Sequence, residues 1–287
     1  MRSKVGLSIC LIICFWASSF VAIKIALTDM APVALTLGRF IISSVSLGLL
    51  AFVKKPQRIR RKDWWLLVVA SLAGVTVYNL ALNFGQQTVS AGSASFLINT
   101  VPVITTLLAY FFLKEKLKLR TLAGIVVSLV GVSIISLSES KGFRLNFGIM
   151  LVLLAAISQA VFFIVQKPLL KRYRPLTIIS YSVWLGTLFL LPFSSGLPAL
   201  GNASQNSWLA LLFLGIIPGA IGHVIWSFAL SKMATSRATS FLYFVPVVSL
   251  LLSFFIMQEV PSLLLILGGI VAILGVYVVN IKTQKHE

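Results

Sequence analysis

The sequence predicts an all-α integral membrane protein of ten transmembrane helices, arranged as two inverted five-helix repeats. Three observations predict it. The chain is more apolar than a soluble fold can bury, basic runs punctuate its apolar stretches on alternate loops, and its two halves match at a fixed offset. Hydrophobic residues make up 59% of the 287 residues and charged ones only 10%, against roughly half and a quarter in soluble domains. Lipid is therefore the solvent for most of the chain. A net charge of +18 would suit nucleic acid, but Lys and Arg fall in short runs between apolar stretches. Membrane proteins fix their orientation in this way, so a lipid bilayer is the expected partner and nucleic acid is not.

The first element follows Met1-Arg-Ser-Lys4. Its apolar run continues from Val5 to about Leu27, too long for the core of a cleaved signal, and reads as a retained span. A span needs about 17–25 mostly apolar residues. Ten stretches qualify, at about 5–28, 33–53, 64–85, 92–113, 119–138, 147–166, 176–194, 208–230, 238–257 and 262–281. The longest connection, 195–207, is polar and rich in Gly and Pro, and reads as an external loop. No connection is long enough for a catalytic domain.

Loop charge tests the count. One side receives Arg2 and Lys4, six basic residues between Lys54 and Lys62, and four between Lys114 and Arg120. It also receives Lys167, Lys171, Arg172 and Arg174, then Lys232 with Arg237, and Lys282 with Lys285, twenty in all. The other side has Lys141 and Arg144. This asymmetry predicts a multi-pass protein of the cell (inner) membrane with both termini cytoplasmic.

Shifting the chain by 144 aligns 94–132 with 238–276 without a gap, with 13 identities in 39 positions. Pro102/Pro246, Glu115/Glu259, Gly124/Gly268 and Gly131/Gly275 are among them. A shift of 143 pairs Lys24 with Lys167 and Pro32 with Pro175. The expected units are 1–138 and 147–287. Five is odd, so the second unit enters the membrane upside down, a recurring construction of secondary transporters with the substrate site between the halves.

Several segments resemble the drug/metabolite transporter superfamily, and within it the EamA-type ten-helix carriers. They are Phe15-Trp-Ala-Ser-Ser-Phe-Val-Ala-Ile-Lys24, Pro32 with Gly38-Arg-Phe40, Ala94-Ser-Phe-Leu-Ile-Asn-Thr-Val-Pro102, and Phe111-Phe-Leu-Lys-Glu115. The second half repeats the set from Ala238 to Gly275. Near Arg39 the family pattern has Leu-Arg-Phe where this chain has Gly-Arg-Phe. The resemblance covers nearly the whole chain and implies two tandem repeats and transport of amino acids, other metabolites or drugs.

Candidate site residues are the polar and aromatic groups within spans. Arg39 lies about 10 Å below the outer face, where an ion is costly unless paired or hydrated. It reads as a trap for a carboxylate or as a tie to helix-end carbonyls or Asp29. Asn79 matches His223, Asn83 matches Ser227 and Asn99 matches Tyr243 across the halves. These are either a cavity lining or interhelical hydrogen-bond glue. Trp16, Gln159 and Trp226 lie near mid-depth and suit a flat or apolar substrate, or simple packing. His223, which could titrate near neutral pH, reads first as a hydrogen-bond partner. Lys24, one turn from a helix end, is expected to snorkel.

Four residues suggest gating. Glu115 and Glu259 recur at helix C-termini, where the dipole disfavours them, as gate ion pairs or solvated ends. Pro102 and Pro246 each free a carbonyl four residues back and kink their spans, and Pro218 loosens a third helix. Small residues at Gly124, Ser128 and Gly131, and at Gly268, Ala272 and Gly275, make helices 5 and 10 packing helices. They lie either outside the pathway or at a homodimer contact.

Cys10 and Cys14 read as small buried residues, and no metal site or cofactor is expected. With two His and no acid deep in a span, a membrane enzyme lacks a catalytic cluster. No phosphate-binding Gly-rich loop supports direct ATP drive. The expected partner is a small-molecule substrate: a polar metabolite such as an amino acid, exported or exchanged by alternating access. The alternatives are efflux of drugs or toxic aromatic cations, and a channel-like uniporter.

Overall fold

The computed structural model describes residues 2–113, 119–139, 147–232 and 235–280, and among these every regular element is helical. Seven helical segments are long and apolar enough to cross a bilayer: Val5–Ala26, Pro32–Val53, Arg61–Gly85, Ala91–Phe112, Phe147–Leu170, Pro175–Ser194 and Gln205–Lys232. Val126–Ile135, Phe244–Met257 and Leu263–Gly275 are shorter apolar helices. The chain is an all-α, multi-pass membrane protein.

Its surface chemistry is that of a lipid-solvated molecule. Phe52 is 85% exposed and Phe112 74%, while Asn79, Asn83, Gln86 and Gln166 are fully buried. Water would reverse that arrangement; hydrocarbon enforces it, because unpaired polar groups facing lipid cost several kcal/mol each.

The first half contains α1 (Arg2–Ala26), α2 (Pro32–Val53), α3 (Trp64–Ser71), α4 (Tyr78–Gly85), α5 (Ala91–Ile98), α6 (Val101–Leu113) and α7 (Leu119–Glu139). The second contains α8 (Phe147–Leu170), α9 (Pro175–Leu190), α10 (Gln205–Leu214), α11 (His223–Lys232), α12 (Thr235–Ser240), α13 (Phe244–Met257) and α14 (Leu263–Asn280). Pro32 and Pro175 open α2 and α9 at the first helical position, where the missing N–H costs nothing. Ser90 and Ser204 cap α5 and α10 by accepting from the N–H three residues on, which satisfies an orphan donor.

Two helices are continuous but carry a wide turn. A π turn, Leu72–Val77, joins α3 to α4, and a second, Gly215–Gly222, joins α10 to α11. The second contains Pro218, which lacks the N–H a regular helix would use. The expected spans over 92–113 and 238–257 are each interrupted, at Asn99–Thr100 and at Phe241–Tyr243, a few residues before Pro102 and Pro246.

The segment 195–207 differs from the external loop expected. Leu191–Asn202 is a 3-10 run, and Leu200, 7% exposed, reaches the position where a Cβ on Gly38 would stand. The Trp208 indole holds the run by donating to Leu200 O at 3.1 Å. Buried Leu200, with half-buried Leu197, draws the backbone onto α2.

Elements of one half pack largely on the other: α1 on α10, α11 and α13, α8 on α3, α4 and α6, and α2 on α9. The most extensive pairing joins α7 to α14. A Cβ on Gly131 would lie 2.3 Å from Ala272 N, and one on Gly275 2.3 Å from Ser128 N. The small-residue stripes are thus spent against each other inside the chain. Apolar side chains such as Val126, Leu129, Ile270 and Leu274 cover the outward faces.

Candidate functional site

The two π turns generate the site's geometry. A π turn widens the helix and leaves carbonyls without their usual donors. In the first, Asn79 Nδ2 donates to Val75 O (2.8 Å) and Gly74 O (3.2 Å). In the second, His223 Nδ1 lies 2.7 Å from Pro218 O. A carbonyl only accepts, so this nitrogen carries the proton. Two residues of α2, one turn apart, complete the second turn. Arg39 Nε donates to Leu214 O at 3.2 Å and Ser43 Oγ to Gly215 O at 2.7 Å. Arg39 Nη1 donates to Asn79 Oδ1 at 3.0 Å, so a single guanidinium links both turns.

Arg39 is 4% exposed, and its guanidinium lies 5.5 Å from the Phe40 ring centroid. Two of its five N–H groups are used, and among the described residues no carboxylate pairs with it. Asp29, considered above as its partner, instead accepts from Ser204 N and Ser207 Oγ at 3.0 and 2.8 Å.

Arg39 faces a narrow central cavity of about 50 Å³, also lined by Trp16, Asn99, Pro102, Gln159 and His223. Six residues expected at the site therefore converge, from α1, α2, the α5–α6 break, α6, α8 and the start of α11. Asn99 Nδ2 and Gln159 Oε1 are buried and have no hydrogen-bond partner among the described residues. Such groups carry a penalty of about 1–3 kcal/mol until water or a ligand reaches them. The aromatic wall is continuous: Trp16 stacks on Phe163 (6.3 Å between centroids, 11° between planes) and tilts against Trp226 at 5.0 Å and His223 at 6.1 Å. The volume suits a few waters, so a metabolite enters only when the walls part.

The other expected residues stand elsewhere. Asn79 lies behind Arg39 and holds it. Asn83 donates to Thr36 Oγ1 at 2.7 Å and ties α4 to α2. Trp226, 1% exposed, backs Trp16 and Phe163. Pro246 is buried in α13 but does not line the cavity. The Tyr243 side chain and Glu115 lie outside the described residues. The Glu259 carboxylate accepts from Ser253 Oγ in the last turns of α13, and Glu259 N reaches back to Ser253 O at 3.4 Å. It closes the end of α13 after Gln258, whose φ is 56°. In this geometry Glu259 is a local cap and has no partner across the halves among the described residues.

Lys24 does not snorkel. Its Nζ donates to Gln86 O and Val89 O at 2.9 and 3.2 Å, and Lys167 Nζ donates to Leu230 O at 2.6 Å. Each ammonium stabilises the carbonyl end of a helix in its own half. Cys10 and Cys14 are free and exposed rather than buried.

Sequence reasoning missed Tyr78, Ser19, Ser95 and Phe163 in the lining. A signal existed for Phe163, which matches Phe20 at the offset of 143 that relates Gln159 to Trp16; all four line the cavity. Tyr78 had no such signal, because its counterpart is Gly222.

Comparison with known proteins gives the family. The model of the EamA-like transporter family matches residues 4–137 and again 146–281. The "Probable terminal-alkyne amino-acid exporter" of Streptantibioticus cattleyicolor is 35% identical over 98% of this chain and 95% of its own. The "Uncharacterized transporter YdfC" of Bacillus subtilis is 33% identical over 99% and 94%. The "Probable amino-acid metabolite efflux pump" of Escherichia coli is 26% identical over 97% and 95%. A solved crystal structure superposes with a TM-score of 0.69 at 18% identity, over 97% of this chain and 96% of that one, a likeness of fold alone. With apolar helices around a cavity of buried polar groups, and with matches along both halves, the chain belongs to the EamA-like transporter family of membrane proteins.

Proposed function

We propose that the chain is a secondary transporter that exports or exchanges an amino acid, or a related small polar metabolite, by alternating access. The observation that carries this is a cavity that holds, beside an aromatic wall, a buried guanidinium with no carboxylate partner among the described residues, and Asn99 Nδ2 and Gln159 Oε1, likewise unpartnered among them. A cation in lipid-surrounded protein is stabilised by an anionic group or by water. A substrate carboxylate meets Arg39 and Asn99 Nδ2, its ammonium meets Gln159 Oε1, and an apolar side chain lies on Trp16 and Phe163. Relatives named for amino-acid export support the same class.

The architecture we propose has ten crossings in two inverted halves, 1–138 and 147–287, in the cytoplasmic membrane with both termini inside. Seven long and three shorter apolar helices support the number. Repeat-related pairs in the cavity support the two halves: Trp16 with Gln159, Phe20 with Phe163, and Val101 with Val245. The π turns begin 143 residues apart. A dimer through α7 and α14 would have to use their outward apolar faces, because the small-residue stripes are already occupied.

The aromatic wall suits a second reading, efflux of aromatic cations. Arg39 opposes it, since two positive charges in a medium of low dielectric repel strongly. Purified protein in liposomes preloaded with unlabelled amino acids tests the proposal. Counterflow of labelled amino acid that falls about ten-fold or more in Arg39→Gln, the order of one charge-assisted hydrogen bond, is expected. Counterflow unchanged in Arg39→Gln removes the carboxylate assignment, and cation-only counterflow favours the second reading.

A further inference from the structure

After α2 ends at Val53, the chain runs without regular structure from 54 to 60 across the α8–α9 turn. It is clamped there. Gln57 N donates to Thr177 Oγ1 at 3.1 Å, Arg174 N to Gln57 Oε1 at 2.7 Å, and Arg60 N to Tyr173 Oη at 3.1 Å. Tyr173 Oη in turn donates to Asp63 Oδ2 at 2.7 Å, and Arg172 pairs with Asp63 Oδ1. These ties border a half-open surface cleft of about 370 Å³ lined by Gln57, Arg58, Arg60, Arg172 and Tyr173.

The charge in this cleft is unbalanced. Asp63, 1% exposed, is already committed to Arg172 and Tyr173. Among the described residues no ion pair reaches Arg58 or Arg60. Lys54, Lys55, Arg61, Lys62, Lys171 and Arg174 are exposed around it. The central cavity and its substrate explain none of this, since no residue is common to the two.

The flanking residues set its depth. Phe52 and Val53, just before the segment, are 85% and 81% exposed, and Trp65, just after it, is 63% exposed. Bare apolar side chains of this kind belong in lipid, and exposed Trp belongs at the headgroup boundary. The cleft therefore sits where hydrocarbon gives way to headgroups. Guanidinium groups match the oxygens of a phosphate in paired, charge-assisted hydrogen bonds.

We propose that the cleft binds the phosphate of an anionic phospholipid in the leaflet it faces, with Arg58 and Arg60 as its principal ligands. Free phosphate offers the same oxygens; the flanking apolar surface favours the lipid.

The test uses the full chain, purified and titrated with phosphatidylglycerol, phosphatidylcholine or inorganic phosphate. Retained lipid is read by native mass spectrometry and stability by thermal unfolding. Phosphatidylglycerol is expected to bind in preference to phosphatidylcholine. Each charge-assisted hydrogen bond lost costs about ten-fold in affinity, so Arg58→Gln with Arg60→Gln should weaken it roughly a hundred-fold. Lys54→Gln with Lys55→Gln, which removes equal charge from the rim, should weaken it much less. Equal losses in the two double variants, or no preference between the lipids, overturns the proposal. Inorganic phosphate that displaces phosphatidylglycerol at millimolar concentration makes the free ion the ligand and overturns it too. Should the Arg pair fail to fold, Arg58→Gln alone, whose backbone makes no clamp contact, gives the same reading.

Discussion

At position 79 an amide seals the carbonyls of a π turn, and at position 223 an imidazole does the same one repeat later. An asparagine is therefore chemically sufficient at 223. His223→Asn is expected to leave the thermal unfolding midpoint near that of the natural chain, whereas His223→Leu strands Pro218 O and costs about 1–3 kcal/mol. Thermal unfolding of the two variants checks this. Equal losses would mean that the ring's packing against Trp16, not its hydrogen bond, sets stability. The pairing of 79 with 223 was legible in the repeat, and so was their polarity. Their task was not, because a π turn depends on which carbonyls a distant α2 reaches, and Arg39 and Ser43 reach Leu214 and Gly215 only after the halves dock.

The α7–α14 pair makes a steric prediction at the scale of the element. A Cβ at Gly131 would press on Ala272 N, a backbone atom that cannot swing aside as a flexible side chain would. Gly131→Leu is expected to destabilise the chain by about 1–3 kcal/mol or more, while Val130→Leu, on an exposed face, should be near neutral. Unfolding midpoints of the two variants separate these outcomes. The α1–α2 connection makes a second prediction, about pH. Hydrogen bonds from Ser204 and then Ser207 hold the Asp29 carboxyl at about 2, below its ordinary 3.8. A lowered pKa stabilises the fold fully above the ordinary value, and the benefit fades as pH falls through the folded value. The stability advantage over Asp29→Asn is thus expected to be complete at pH 6 and to shrink between about 4 and about 2. A pH-independent difference in unfolding midpoint would assign the tie to shape and not to charge. Helix ends, caps and the two mid-helix breaks could be anticipated from Pro, Ser and Gly. The 3-10 run at Leu191–Asn202 could not, since its seat on α2 is supplied by a residue far away in sequence.

For the whole molecule, the loop charges predict sidedness. Single cysteines placed at Gln57 and Lys171, in a background lacking Cys10 and Cys14, should react with an impermeant thiol reagent only from the cytoplasmic face. A cysteine at Arg144 should react only from outside. Reaction of all three from one face would break the ten-span count and with it the inversion. Membrane class, the positions of seven spans and the internal match were determined by the sequence itself, because hydrophobicity and repetition are properties of a chain read in order. The lining of the cavity was only partly so. Arg39, Asn99, Trp16, Gln159 and His223 were identified by being polar or aromatic where lipid should be. Tertiary structure decided which of them face the cavity, which, like Asn79 and Asn83, hold the walls, and that Arg39 bridges two π turns. Burial depends on neighbours hundreds of residues away, and hydrogen-bond partners are chosen by docking, so neither can be read from a span in isolation.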